Sequence, residues 1–208
     1  RKKLVKDNIT VINPGVDIEP RFINKIKNQI LFVANLEERK GLHILLDALS
    51  KLNRLDYKLF VIGDDKRDIK YSNRIRKQID ENNLSDNVII KGKVSYSELL
   101  SYYFSSSIFV FPSQLEGFGL SLAEAMKSGL AIIASNIPTT MELLVDGEGA
   151  LLFEKNNVEK LKEKLELLID DDELRKRLSR NVLMKSQSLN KWNETAEQVF
   201  ENIMSLIK

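Results

Sequence analysis

The chain has 208 residues, 43% hydrophobic and 30% charged, the balance of a soluble globular domain with one sizeable core. Its 32 Lys and Arg against 30 Asp and Glu leave a net charge of +2, too even to announce a nucleic-acid binder. With no cysteine and one histidine, His43, a disulfide framework, a thiolate or His-based metal site and a catalytic triad are all disfavoured.

In chain order, the opening RKKLVKDNITV is basic but carries no long apolar stretch, so it is not expected to be a signal peptide. It also lacks Met, and the chain reads as a piece of a longer protein. No apolar run approaches the ~20 residues that span a bilayer. ITVIN (9–13) reads as a strand before the turn-rich PGVD. QILFVAN (29–35) is a second strand. GLHILLDALSKL (41–52) follows as a helix with Leu42, Leu45, Leu46 and Leu49 on one face. YKLFVIG (57–63) and NVIIKG (87–92) read as strands around a polar helix near residues 69–82. SYSELLSYYF reads as a helix, SIFVFPS (107–113) as a strand, and EGFGLSLAEAMKS as a loop running into a helix to about Ser128. LAIIAS (130–135) is a strand, TTMELLV a short helix, and GALLF (149–153) a last strand before three helical segments.

Continuous apolar strands, each followed by a helix, imply a parallel sheet covered on both faces. The fold class is therefore α/β, a Rossmann-like doubly wound sheet. Ligands bind such sheets outside the carboxyl ends of the strands. A single domain, residues 1–208, is expected.

The richest stretch is EGFGLSLAE, Glu116–Glu124. Gly117 and Gly119 let the backbone approach a ligand and adopt positive φ. The helix that follows offers unpaired N–H groups and the positive end of a dipole. Glu124, about one turn inside it, could accept two hydroxyl hydrogen bonds from a sugar or ribose, and Glu116 could do the same for another ring. Acidic residues near a helix N-terminus also favour its dipole, and glycines punctuate turns. Spacing alone leaves both readings open.

Lys40, after a second strand, could reach a phosphate, although a solvated lysine is the plainer reading of that residue by itself. Asp64 and Asp65 invite a metal, but adjacent aspartates diverge and no further oxygen ligand is near; Gly63 more plainly gives a ligand room. DDDEL (170–174) reads as a helix start. Ser95 and Glu98 have capping-box spacing, and the loop there could meet a flat base. His43 is expected to be structural. Trp192, Ala196, Val199, Phe200, Ile203 and Ile207 form one apolar stripe on the last helix, ordinary core or interdomain packing.

Taken in order, NPGVD (13–17), FVANLEERKGLHILLDAL (32–49), LFVIGD (59–64), NVIIKGKVSYSELLSYY (87–103) and FVFPSQLEGFGLSLAEAMKSGLAIIAS (109–135) resemble the C-terminal, donor-binding half of a retaining GT-B glycosyltransferase of the family 4, or group 1, type. The resemblance covers almost the whole chain, and its last motif is specific. It implies transfer of a hexose from a UDP-, GDP- or ADP-sugar to a saccharide, lipid-linked or small-molecule acceptor. No cofactor and no metal are implied. By the same resemblance Glu116 contacts the sugar hydroxyls and Glu124 the ribose. The backbone of Gly117, Phe118, Gly119 and Leu120 lies along sugar and diphosphate, and Lys40 neutralises the diphosphate. Val94, in the Gly92–Ser95 turn, walls the base, and Gly15 lies in the segment near the interdomain hinge.

Two departures stand out. The family commonly has Gly-Arg where this chain has Ala34-Asn35. Asn35 can donate hydrogen bonds but carries no charge, and a lost charged partner costs about 1.5–3 kcal/mol unless replaced. The Gly-Gly-x-Pro-Glu region here reads NIPTTMELL, with Pro138 and Glu142 spaced apart.

A GT-B enzyme places its active site between two such domains, so this half alone is expected to bind nucleotide weakly and turn nothing over. Residues 191–208 are expected to form a terminal helix crossing to the other domain. The acceptor is expected on that domain, with no nucleic-acid partner and a cytoplasmic location, peripheral contact with the inner face of a membrane being left to the full-length protein. The main rival is a catalytically degenerate nucleotide-sugar-binding module, with Asn35 as the trace of decay. An epimerase or phosphorylase lacks its histidine or cofactor lysine here. A receiver domain would use Asp64 and Asp65.

Overall fold

The computed structural model describes residues 10–20 and 24–207, with side chains through Ser205. Among these residues the apolar runs form six strands: β1 Gln29–Val33, β2 Lys58–Ile62, β3 Val88–Gly92, β4 Ile108–Phe111, β5 Ala131–Ser135 and β6 Ala150–Phe153. All pair in parallel in the order β3-β2-β1-β4-β5-β6. The chain moves outward from β1 to β3, returns to the middle, and moves outward again from β4 to β6. The reversal opens a crevice at the carboxyl ends of β1 and β4, where an open α/β sheet takes its ligand.

Side-chain alternation shows why these strands read as unbroken apolar runs. Ile30, Phe32, Ile108, Val110 and Ile133 enter one core; Leu31, Phe109, Phe111, Ile132 and Ala134 enter another. The central strands β1, β4 and β5 are buried on both faces, so both sets of their positions are mostly apolar, whereas the edge strand β3 keeps only Val88 buried. Helices α1 (Leu42–Ser50), α2 (Ile69–Glu81) and α6 (Val158–Asp170) cover the first core. Helices α3 (Tyr96–Ser105) and α4 (Leu120–Lys127) cover the second. Leu42, Leu45, Leu46 and Leu49 of α1 are all buried, as their spacing predicts. Each contributes about 1.5–3 kcal/mol of apolar burial as an upper figure.

Helix starts follow their sequence signals in part. Asp171 caps α7 (Asp172–Lys185) by accepting from the Leu174 N–H at 2.8 Å, as the acidic run predicts. Ser95 caps α3 through the Glu98 N–H at 3.2 Å. Glu98 does not complete the box; its carboxylate faces Lys91 at 3.9 Å.

The expected strand at ITVIN is not found: residues 10–13 are irregular, Val11 is 82% exposed, and Ile9 lies outside the described residues. Among the described residues no strand runs alongside them, and an extended segment gains ladder hydrogen bonds only from a neighbour. The short helix after β5 is α5, Pro138–Leu143, with Pro138 at its first turn.

The last helix, α8 (Trp192–Ile207), is anchored at its start. Trp192 N–H donates to Asp17 Oδ1 at 3.0 Å, Thr195 Oγ1 donates to the Asn13 carbonyl at 3.0 Å, and Lys191 pairs with Glu19 at 2.7 Å. Beyond that anchor its apolar stripe faces outward. Trp192 is 50% and Phe200 64% exposed, and Ala196, Val199 and Ile203 are exposed beside them. The stripe is therefore not packed into this domain's core; the side chain of Ile207 lies outside the described residues. Among the described residues no helix is long and apolar enough to cross a membrane.

Candidate active site

Two loops form the crevice. After β1 the chain passes Ala34 and Asn35 into a 3-10 turn, Glu38–Lys40, and enters α1 through Gly41. Gly41 has φ +74°, and a Cβ there would lie 2.1 Å from the Pro112 carbonyl oxygen. Only glycine lets the two loops approach this closely in that conformation. The Gln114 N–H donates to the Arg39 carbonyl at 2.8 Å, tying the loop after β4 to the loop after β1.

That contact brings together residues 76 positions apart. Lys40 Nζ donates to Glu116 Oε1 at 2.5 Å, with side-chain exposures of 16% and 9%. Ser113 Oγ donates to the same oxygen at 2.9 Å. Arg39 reaches Glu116 Oε2 at 3.4 Å and pairs with Glu37 at 3.0 Å. The Glu116 backbone is held separately, its carbonyl accepting from Thr139 Oγ1 at 2.8 Å. The site is thus a largely dehydrated lysine–glutamate pair with a second cation at its edge. An incoming polyanion can compete with Glu116 for both cations.

The chain then runs through Gly117, Phe118 and Gly119 into α4. Gly119 is the N-cap, at φ +82°, and leaves no side chain over the helix start. Gly117 does not adopt positive φ, contrary to the sequence expectation. It is exposed, and a Cβ there would meet nothing within 4 Å, so its freedom is not required by the fold itself. Phe118 packs partly against the second core, and Leu120 is exposed at the first position of α4.

Glu124 lies inside the second turn of α4 and has a different environment. Tyr103, fully buried on α3, donates its hydroxyl to Glu124 Oε2 at 2.8 Å. Burial pushes the Glu124 carboxyl above its ordinary value, and the Tyr103 hydrogen bond opposes that rise. One of the two oxygens is therefore committed to the protein, leaving Oε1 as the better-placed acceptor for a ligand.

The other expected site residues are distributed around these two carboxylates. The Asn35 amide oxygen accepts from the Asp64 N–H at 3.2 Å, so Asn35 joins the ends of the loops after β1 and β2. Gly63, at φ +150°, stands so close that a Cβ would lie 1.9 Å from the Ala34 carbonyl. The clearance at Gly63 serves the packing of its own backbone on Ala34. Val94, after β3, is half-buried against the second core. Gly15 sits against the start of α8, where a Cβ would lie 2.3 Å from the Trp192 nitrogen. Asp64 Oδ1 accepts from the Lys66 N–H at 2.9 Å, and Asp65 pairs with Arg76, so these two carboxylates serve the local turn and helix α2. His43 contacts the Tyr71 hydroxyl at 3.0 Å and is held below its ordinary pKa by burial and by nearby Arg74, as suits a packing residue.

Sequence reasoning did not single out Arg39, Ser113, Thr139 or Tyr103. Arg39, Thr139 and Tyr103 act through contacts distant in sequence, and Ser113 lies three residues before Glu116 in an apolar run where no spacing marks it. Thr139 lies in the segment where the chain departs from the family's usual pattern, and here that segment holds the Glu116 backbone.

The sequence model for glycosyl transferases group 1 matches residues 16–183. This chain belongs to that family. A relative, an uncharacterized glycosyltransferase of Methanocaldococcus jannaschii, is 37% identical over 177 residues, 85% of this chain and 48% of that protein. The chain spans about half the length of the curated relatives it matches. Among solved structures, sucrose-phosphate synthase from Thermosynechococcus elongatus superposes with a TM-score of 0.79 at 26% identity, over 87% of this chain and 46% of that one. The C-terminal domain of a group 1 protein, LpcC from Francisella tularensis, gives 0.72 at 27% identity, over 79% of this chain and 87% of that domain. The doubly wound sheet is thus the Rossmann-like fold of GT-B glycosyltransferases.

Proposed function

We propose that this chain is the donor-binding domain of a retaining glycosyltransferase that moves a hexose from a nucleotide diphosphate sugar to an acceptor. The observation that carries the reading is the Lys40–Glu116 pair at the switch-point crevice, one short glycine-rich turn before α4. A leaving diphosphate accumulates negative charge while the sugar becomes oxocarbenium-like. Lys40 takes the phosphate charge, with the α4 amides beyond Gly119 as fixed donors. Arg39 is the nearby cation that offsets the missing arginine at Asn35. Glu116, released from Lys40 by the diphosphate, orients the sugar hydroxyls; it is not assigned as a nucleophile. Glu124 Oε1 accepts from the ribose, and Val94 borders the base. Charge neutralisation by the protein itself is the proposed substitute for a metal. The acceptor belongs to the other half of the enzyme, and the outward stripe of α8 supports contact with that half.

The test is a thermal-shift panel of UDP-, GDP- and ADP-sugars on the full-length protein. A shift with one base family, lost in Glu124→Ala, is the expected result. No shift with any nucleotide sugar would sink the reading. Binding without turnover would favour the degenerate module, for which the uncharged Asn35 is the motivating residue.

A further inference from the structure

A second cavity, of about 510 Å³, lies at the opposite end of the sheet. Lys27, Ser107 and Gly129, just before β1, β4 and β5, help line it, so it sits at the amino ends of the strands. Its charged lining is Lys25, Lys27, Arg175, Lys176 and Arg180 against one carboxylate, Asp172. Asp172 already serves Lys27 at 3.3 Å and Arg175. Lys176 pairs with Glu173 at 2.8 Å. Two groups are less well served. Lys25 Nζ donates only to carbonyl oxygens, of Ser128 at 3.1 Å and Phe104 at 3.4 Å, among the described residues. Among the described residues the Ser128 hydroxyl oxygen is buried without a hydrogen-bond partner, in a residue only 5% exposed.

We propose that this cavity is a second anion site that takes a phosphate monoester, with Lys25 and Ser128 as its floor and Arg180 at its rim. A half-buried ammonium facing only carbonyls, beside an unsatisfied buried hydroxyl, is an arrangement that costs stability until an anion completes it. A phosphate offers several acceptor oxygens at once and suits cations arriving from the β1 approach and from α7. The volume exceeds that of a bare phosphate and falls in the range of small-ligand sites, ~300–1,000 Å³, so the phosphate is expected to carry a small organic group. Burial lowers Lys25 from its ordinary 10.5 to about 8. A bound anion favours the charged ammonium, so binding takes up a proton near that pH and weakens above it. The site is independent of the donor-site reading, since it shares no residue with the crevice.

Inorganic phosphate and glycerol 3-phosphate would be titrated into the full-length protein by calorimetry. In parallel, the protein would be sedimented with phosphatidylcholine vesicles with or without phosphatidic acid. Lys40→Ala removes a phosphate partner of the donor crevice and is expected to leave this binding intact. Lys25→Met and Arg180→Ala are each expected to weaken it by about tenfold or more. Arg180 is exposed, so its variant keeps the test valid if Lys25→Met perturbs folding. A soluble ligand is indicated by the calorimetric signal, a lipid headgroup by phosphatidic-acid-dependent sedimentation, and either effect must depend on Lys25 and Arg180. Phosphate affinity unchanged in both variants, affinity abolished by Lys40→Ala, or no binding in either arm overturns the proposal.

Discussion

The two ends of the sheet handle charge in opposite ways. At the carboxyl end, Lys40 and Arg39 converge on Glu116, and Arg39 also holds Glu37. Cations and carboxylates there are matched and close. At the amino end, five cations line the cavity with one carboxylate, Asp172, which pairs with Lys27 and Arg175, while among the described residues Lys25 has only carbonyls. A matched pair is ready to be exchanged for a substrate's charges. An unmatched ammonium is a standing cost that a ligand can relieve. The same contrast divides the two glutamates of the crevice. Glu116 is surrounded by cations, whereas Glu124 is desolvated and held by a neutral phenol.

The largest expected effect tests the matched end. Lys40→Ala or Glu116→Ala in the full-length enzyme should lower turnover on the order of 10²-fold or more. Near-normal kcat in either variant would falsify their assignment. Next, Gly41→Ala should destabilise the protein by about 3 kcal/mol, because it combines a left-handed backbone with collision against the Pro112 carbonyl. Denaturant titration reads this directly, and a loss under about 1 kcal/mol would show that the loops can separate cheaply.

Glu124→Gln separates binding from stability. The burial that raises the Glu124 carboxyl pKa disfavours its charged form, and glutamine still accepts the Tyr103 hydrogen bond. Nucleotide affinity should fall about tenfold, while the denaturation midpoint at neutral pH stays level or rises. A clear fall in that midpoint would mean that the carboxylate stabilises the fold.

The last effect concerns the unmatched end. Lys25 binds a proton less readily folded than unfolded, with values of about 8 and 10.5. Its contribution to stability should therefore rise as pH increases from about 8 towards 10.5. Below that window the lysine is charged in both states and the cost is fully present. Comparing the unfolding free energy of the protein and of Lys25→Met across this window isolates the effect. Parallel profiles would show that Lys25 is not desolvated.

Most elements were legible because their burial is two-sided. A strand such as IFVF is apolar at every position, AIIAS departs from that only at the buried Ser135, and the helices between strands carry a separate period. ITVIN has the composition of a strand, but among the described residues none runs beside residues 10–13, and composition cannot reveal a missing neighbour. Ser95 and Glu98 have the spacing of a reciprocal cap, yet Glu98 faces Lys91 instead. Gly117 and Gly119 look equivalent in EGFG, and only Gly119 requires the left-handed backbone. The expected site residues Lys40 and Glu116 were legible through the order of motifs, but their direct pairing was not.

The sequence by itself determined the alternation of strands and helices, the parallel sheet, the family and the residue types available at the carboxyl end of the sheet. Those follow from local periodicity and from short motifs whose spacing survives without coordinates. The tertiary structure alone decided that Lys40 meets Glu116, that Tyr103 commits one oxygen of Glu124, that Thr139 holds the Glu116 backbone, and that Lys25 is half-buried with only carbonyl partners among the described residues. Each of these depends on which loops the sheet order β3-β2-β1-β4-β5-β6 brings side by side, and on how much water that packing removes.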